Sequence, residues 1–309
     1  MNASSDFSSR QTIGRFAPSS TGPLHFGSLV CALLSYIMAK REQGKWLVRI
    51  EDVDRERCKD KYADSILRTL EAHGLLWDGE VVYQSKRSEI YRAYLAKFEA
   101  KEYLYGCNCS RKAIKSRADH YDQYCRTRNI PLTEHALRFK NPGDIQSFAD
   151  LFLGQATIQN YLTYEDPVLK RADGISAYHL AVVADDIEQS ITQVVRGMDL
   201  LSVTPLHIQL YKALSHVQPS YAHFPLAVHS AGVKYAKQAF STPIDNNMFL
   251  QNLHACLEFI GIHHTRIPKT TASPELLSWS IDNWHPDLLP KHAEIIVSEA
   301  NGIYSVMKP

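Results

Sequence analysis

No charge of one sign dominates this chain: its 309 residues hold 34 Lys plus Arg against 33 Asp plus Glu. Composition therefore does not indicate a strongly basic nucleic-acid binder, although a local basic face stays compatible with it. No apolar run is long enough to span a bilayer. The most apolar stretch, Phe26 to Ala39, is interrupted by Ser28, Ser35 and Tyr36 and falls short of the roughly 20 residues a spanning helix needs. Met1 to Gln11 is Ser-rich with a single Arg and no apolar stretch, so neither a signal peptide nor a transit peptide is read there, and a cytoplasmic home is expected. Internal repeats and low-complexity tracts are absent. Six cysteines, three of them scattered (Cys31, Cys58, Cys256), do not make a disulfide framework in a chain of this size. Reduced thiols are expected.

What is present is a sizeable apolar fraction, 45%, enough for two domains or one domain with an insertion at roughly 100–200 residues per domain. Ile13 to Ala17 reads as a short strand, followed by the turn-rich Pro18-Ser19-Ser20-Thr21-Gly22-Pro23. A helical pattern begins near His25 or Gly27 and ends near Gly44. Trp46 to Ile50 reads as a buried strand ending on Glu51-Asp52, and Tyr62 to His73 as a helix closed by Gly74. Ala177 to Val183, Ile191 to Val195 and Phe224 to Val228 read as strands. A helix starts at Thr204-Pro205, with Thr204 as its N-cap. Helices are also expected at Met248 to Ile260 and at Pro274 to Trp284, the latter capped by Ser273. This order argues for a parallel α/β sheet.

Four short blocks carry chemistry. Arg15 to Ser28 places glycines and small hydroxyl residues between a strand and a helix, where backbone N–H groups and the helix N-terminus favour phosphate oxygens. On composition alone a bland strand-to-helix turn is the better reading. Arg49-Ile50-Glu51-Asp52-Val53-Asp54 follows a strand, and carboxyl ends of strands in open α/β sheets are where ligands bind. Asp173 to Asp186 precedes Arg196-Gly197-Met198-Asp199, and Lys234-Tyr235-Ala236-Lys237-Gln238 is a basic loop after a strand. Finally, Cys107, Cys109 and Cys125 offer three soft ligands where tetrahedral zinc wants four. His120 is the generic candidate for the fourth, with Tyr121 and Tyr124 behind it, and three free thiols are the alternative.

The first block resembles the HIGH signature of class I aminoacyl-tRNA synthetases in the form R-F-A-P-S-x-x-G-x-L-H-x-G used by glutamyl and glutaminyl enzymes. The second resembles their R-I-E-D-x-D block, and the third their D-G-x-x-A-Y-x-L-A-V-V-x-D-D followed by R-G-x-D-L-L. The fourth resembles the KMSKS loop, with Ala236 in place of the usual Ser and Tyr235 in place of Leu. The cysteine pattern C-x-C…Y-x-x-x-C is similar to that of glutamyl-queuosine tRNA(Asp) synthetases, in which the Tyr is a zinc ligand. The resemblance implies a Rossmann-type catalytic core activating L-glutamate with ATP and Mg²⁺. Arg15, Ala17, Ser19, Glu51, Tyr178 and Arg196 would bind glutamate. Pro18, Gly22, His25, Gly27, Ser28, Lys234 and Lys237 would bind ATP, with His25 and Lys237 catalytic. Cys107, Cys109, Tyr121 and Cys125 would hold one structural zinc.

Four segments are expected: 12–104 and 167–244 as the halves of the catalytic domain, 105–166 as an insertion bearing the zinc site, and 245–309 as a short helical C-terminal region. The some sixty residues after about Ile244 leave no room for the helical anticodon-binding region of a full glutamyl-tRNA synthetase. The resemblance therefore implies a partner other than a 3′ end: the anticodon stem-loop of tRNA(Asp) bearing queuosine. A truncated synthetase charging a 3′ end and a non-catalytic glutamate- or adenylate-binding regulator are the alternatives. A monomer with no membrane association is expected.

Overall fold

The computed structural model describes residues 11–159, 161–230, 233–234 and 242–307. Its central sheet has seven strands: β3 (Val82–Tyr83), β2 (Lys45–Ile50), β1 (Ile13–Phe16), β9 (Gln193–Gly197), β10 (Ser220–Phe224), β6 (Ser147–Asp150) and β7 (Gly154–Thr157), in that order. All neighbours run parallel except β7, which turns back antiparallel on β6. Trp46, Val48 and Ile50 of β2 and Val194 and Val195 of β9 are fully or almost fully buried, as expected where both faces of a parallel sheet are covered.

Helix α1 (Phe26–Arg41) makes the crossover from β1 to β2. It buries Phe26, Leu29, Val30, Leu33, Leu34 and Ile37 completely, because it lies between the sheet and two later helices, α7 (Phe249–Phe259) and α8 (Ser273–Asn283). The chain then re-enters the sheet through Gly44, where a Cβ would stand 2.3 Å from the Thr12 carbonyl oxygen. Only glycine lets β2 start so close to β1. Helices α2 (Asp60–Ala72), α3 (Ser88–Ala100), α5 (Tyr178–Glu188) and α6 (Thr204–Ala213) complete the catalytic layers. Gly74, at φ +75°, closes α2.

Two smaller sheets flank the centre. One joins β4 (Leu104–Cys107), β5 (Ala136–Phe139) and β8 (Val168–Lys170), with the short α4 (Arg111–Lys115) between β4 and β5. The other joins β12 (Val233–Lys234), β11 (Leu226–Ser230), β13 (Glu294–Ala300) and β14 (Ile303–Val306). The stretch between Tyr105 and Asp166 is thus divided: β4 and β5 form a small sheet, while β6 and β7 extend the central one beside β10.

Several sequence expectations are corrected. Ala177 to Val183 is not a strand: α5 begins at Tyr178, and Leu180 to Asp186 are all buried. An apolar run buried on every side has no period to separate helix from strand. The strand expected over Phe224 to Val228 is broken at Pro225, which cannot donate to a ladder, so β10 and β11 belong to different sheets. Thr204 is not a cap; Val203 stands there, without a side-chain cap bond. Likewise Ala272, not Ser273, precedes α8. The tail is not purely helical, since the β13–β14 hairpin follows α8 and β13 pairs parallel with β11. That tail shares the main core: Phe259 and Trp284 pack in the same cluster as Phe16 and Trp46, and the Trp284 indole donates to the Ile260 carbonyl at 3.0 Å. Among the described residues no helix is long and apolar enough to cross a membrane.

Candidate active site

From β1 the chain runs to β2 on one side of the sheet, while β9 lies on the other. Such a reversal leaves a crevice at the carboxyl ends of the strands, where open α/β sheets bind ligands. Arg15 sits near the end of β1 and Arg196 near the end of β9, on either side of that crevice. A cavity of about 400 Å³ opens there, lined by Ala17, Pro18, Ser19, His25, Gly27 and Ser28 from the first block, and by Glu51, Tyr178, Asp199 and Leu226 among others. A second cavity of about 340 Å³ meets it, sharing Ser19, Glu51 and Tyr178 and extending to Asp54, Arg57 and Arg171. A further cavity, about 630 Å³, is lined by Gln11, Ile13, Ile191 and Thr192 at the amino ends of the strands, the wrong end for a substrate crevice.

Local geometry explains how the first block is held. Ser19 and Glu51 form an isolated parallel bridge, and the Glu51 N–H donates to the Pro18 carbonyl at 2.9 Å. His25 is the N-cap of α1: its Nδ1 accepts from the Ser28 N–H at 3.4 Å, and its Nε2 lies 3.0 Å from the Ser28 hydroxyl. Gly27 faces the cavity, and a Cβ there would meet nothing closer than 3.5 Å. The protein's own packing does not demand glycine at that position. Gly22 is buried in the turn and does not line either cavity. Lys234 ends β12, with its side chain outside the description, and Tyr235, Ala236 and Lys237 lie outside the described residues.

Beneath the crevice lies a buried charge cluster. Asp186 of α5 takes Arg15 Nε at 3.3 Å and Arg49 Nη2 at 2.8 Å. Arg49, fully buried, also reaches Glu51 at 3.6 Å and Asp185 at 3.9 Å. Asp185 accepts in addition from Arg87 at 2.6 Å, Gln84 at 2.8 Å and the Tyr91 hydroxyl at 2.8 Å. Three guanidinium groups thus face three carboxylates. Burial pushes the Glu51 carboxyl up to about 7, against the pull of Arg49 and Arg15. Asp186, by contrast, is held below its usual range, because its two arginines outweigh burial.

Arg196 is held differently. Its Nε donates to His223 Nε2 at 3.1 Å, one Nη meets His207 Nδ1 at 3.2 Å, and the other donates to the Thr204 hydroxyl at 2.7 Å. Burial keeps His207 and His223 below their ordinary range, with Arg196 adding to the effect. Among the described residues no carboxylate pairs with Arg196 directly; Asp150 stands one imidazole away, 2.6 Å from His223 Nδ1. Arg15 and Arg196 are 5% and 4% exposed and lie behind the cavity wall, whereas Tyr178 is 38% exposed and forms part of it.

The cysteine cluster is compact. The sulfur atoms of Cys107, Cys109 and Cys125 all lie within 4.8 Å of one another, with Cys109 and Cys125 at 3.4 Å. Tyr121, almost fully buried, points its hydroxyl at the same place, accepting from the Cys125 N–H at 3.0 Å. The three sulfurs could hold a metal ion, with the phenol oxygen beside them. His120 is not among them: it stacks on Tyr161 at 4.7 Å.

Residues 11–252 match the family described as tRNA synthetases class I (E and Q), catalytic domain. The glutamyl-Q tRNA(Asp) synthetase of Idiomarina loihiensis is 45% identical over 88% of this chain and 96% of its own. That of Photobacterium profundum is 45% identical over 94% of this chain and 93% of its own. The chain belongs to the glutamyl-Q tRNA(Asp) synthetase family. As a member of that family it is a ligase of the class I synthetase type. Its fold agrees with the crystal structure of a glutamate tRNA ligase from Elizabethkingia meningosepticum in complex with its amino acid, at a TM-score of 0.75 and 25% identity over 92% of this chain. The chain spans 66% of that ligase. For the glutamate-tRNA synthetase of Elizabethkingia anophelis the TM-score is 0.77, with 94% of this chain and 68% of that one covered.

Sequence reasoning placed Arg15, Glu51, Tyr178 and Arg196 at one crevice, and the structure brings them there. It passed over Arg49, Asp185 and Asp186, which stood inside the quoted blocks, and His207, His223 and Asp150, for which the sequence holds no signal. Cys31 lines the larger of the two joined cavities, whereas Cys256 is fully buried. Cys58 packs its sulfur 3.6 Å from the Glu51 carbonyl oxygen. Asp186→Asn leaves two buried guanidinium groups without their shared anion and is expected to cost about 3–5 kcal/mol of folding stability. Urea unfolding followed by circular dichroism measures this; a loss near zero would mean the cluster is neutralised elsewhere.

Proposed function

We propose that this protein activates L-glutamate with ATP and transfers it to the queuosine base at the wobble position of tRNA(Asp). The observation that carries this reading is the meeting of two cavities at Ser19, Glu51 and Tyr178, with a buried arginine on each flanking strand. Glutamate brings one ammonium and two carboxylates. Glu51 supplies the countercharge for the ammonium, and Arg15 and Arg196 supply planar forks for carboxylates. The larger cavity, running past His25, Gly27 and Ser28 to the N-terminus of α1, suits a nucleotide whose phosphates face a partial positive charge.

The chemistry follows from those placements. A glutamate carboxylate oxygen attacks the α-phosphorus of ATP, the bond to the β-phosphate oxygen breaks, and pyrophosphate leaves. His25, at the head of α1, and Lys237 stabilise charge on the phosphoryl oxygens, with Lys234 assisting in the same loop. Mg²⁺ bound with ATP would offset phosphate charge. A hydroxyl of the queuosine cyclopentenediol then attacks the acyl carbon of the mixed anhydride, and AMP leaves. Space for that acceptor is offered by the second cavity. Cys107, Cys109, Cys125 and Tyr121 would hold one zinc, bracing a region whose own apolar cluster is small.

The deciding experiment is transfer of labelled glutamate onto tRNA(Asp) with and without queuosine. Label is expected only on the modified tRNA, and cleaving the free diol with periodate beforehand should abolish acceptance. Labelling independent of the modification, as a 3′-end-charging enzyme would give, overturns the reading. A second expectation concerns pH. Because the Glu51 carboxyl sits at about 7, its ionised form is depleted as pH falls, and kcat/KM for glutamate in pyrophosphate exchange should decline below about pH 7. Glu51→Gln should remove that acid limb along with most of the affinity; a flat wild-type profile would take Glu51 out of ammonium binding. Metal analysis of protein purified without added zinc should find one zinc per chain, and chelation should loosen the cysteine-bearing region, since structural zinc contributes folding free energy.

A further inference from the structure

The contacts around Arg196 form a chain that no sequence block encodes. Guanidinium is a donor only and imidazole nitrogens divide into one donor and one acceptor when neutral, so the imidazole protons in the chain are assigned by their neighbours. Asp150 accepts from His223 Nδ1 at 2.6 Å, which leaves His223 Nε2 to accept from Arg196 Nε at 3.1 Å. On the other side, His207 Nδ1 accepts from Arg196 at 3.2 Å, so its proton sits on Nε2 and is donated to His179 Nδ1 at 3.1 Å. Thr204 closes the third direction at 2.7 Å. Three of the five N–H groups of Arg196 are spent in this way. Two remain, the number a carboxylate takes in bidentate fashion.

We propose that His207, with His179 behind it, is a positioning residue for Arg196: it fixes one terminal nitrogen of the guanidinium so that the two remaining N–H groups are presented to a carboxylate of glutamate. This rests on the reading that Arg196 binds the substrate. The position of His207 supports it. His207 is completely buried, and its ring lies 5.8 Å from that of Tyr178, which lines both cavities. The groups facing it are Arg196 from β9, His179 from α5, and, farther off, Arg15 from β1 and His223 from β10. None is anionic, so nothing holds a proton on Nδ1 and the acceptor stays available to Arg196.

The test is glutamate-dependent pyrophosphate exchange with H207L, H207N and R196Q, each checked for its thermal transition. H207L removes the acceptor and should raise the glutamate KM about tenfold or more, with kcat and the ATP KM little changed. H207N places its Oδ1 where Nδ1 stood and should restore the KM to within about threefold of wild type. If R196Q leaves the glutamate KM unchanged, the underlying reading of Arg196 fails. If R196Q raises it while H207L does not, or if H207N is no better than H207L, the positioning role alone is overturned. A parallel rise in the ATP KM would also overturn it, since that marks general damage to the crevice. Should H207L lose its thermal transition, H179A carries the test: it removes the acceptor of the His207 Nε2 proton that holds the ring in place, and an unchanged glutamate KM there overturns the proposal.

Discussion

Asp186 is shared by two arginines from different strands, and the crevice above it depends on that sharing. Arg15 comes from β1, Arg49 from β2 and Asp186 from α5, so the ion cluster closes only when these three elements are in register. A buried charge without a partner costs several kcal/mol, whereas a balanced cluster roughly breaks even. The chain meets this by pairing Arg15, Arg49 and Arg87 with Glu51, Asp185 and Asp186. Within that balance the carboxylates are not equal. Asp186 is held firmly ionised by its two arginines, while Glu51, at the rim, is pushed up to about 7 by burial. A carboxyl poised in that way responds to an arriving ammonium, and one locked between two guanidinium groups does not. The cluster therefore separates a structural carboxylate from a responsive one.

The frame of the crevice was legible because its signals are local. Gly44 and the Pro18–Pro23 turn mark where strand becomes helix and helix becomes strand, and the apolar run of β2 follows from its burial on both faces. What failed was local information of another kind. Leu180 to Ala184 is uniformly apolar, and such a run has no period to separate the helix α5 from a strand. The β13–β14 hairpin was missed because one of its faces stays exposed and its charges read as solvated.

The site divides along the same line. Arg15, Glu51, Tyr178 and Arg196 sit in sequence blocks with recognisable spacing, as do the three cysteines and Tyr121. Arg49, Asp185 and Asp186 sit in those blocks too, yet a charged residue on a strand or helix reads as exposed unless its partner is known. Their partners come from other elements. Asp150, His207 and His223 are scattered over three separate elements, β6, α6 and β10, and each alone is an ordinary buried polar residue. Only the order β9-β10-β6 brings His223 and Asp150 to Arg196, and only the packing of α6 delivers His207.

The two arginines flanking the crevice consequently differ in kind. Arg15 already has an anion at 3.3 Å, so a substrate carboxylate arriving there competes with a charge that is matched. Arg196 is held by neutral acceptors, and Asp150 reaches it only through an imidazole. A guanidinium kept in a low-dielectric site by hydrogen bonds alone has its geometry satisfied and its charge unmatched. Under the proposed reading that makes Arg196 the stronger discriminator between a carboxylate and a neutral amide. An amide could meet the hydrogen-bonding need only in part and the charge not at all. The histidines thus do by geometry what Asp186 does by charge: each keeps an arginine in place, but only the histidines leave the charge itself for the substrate.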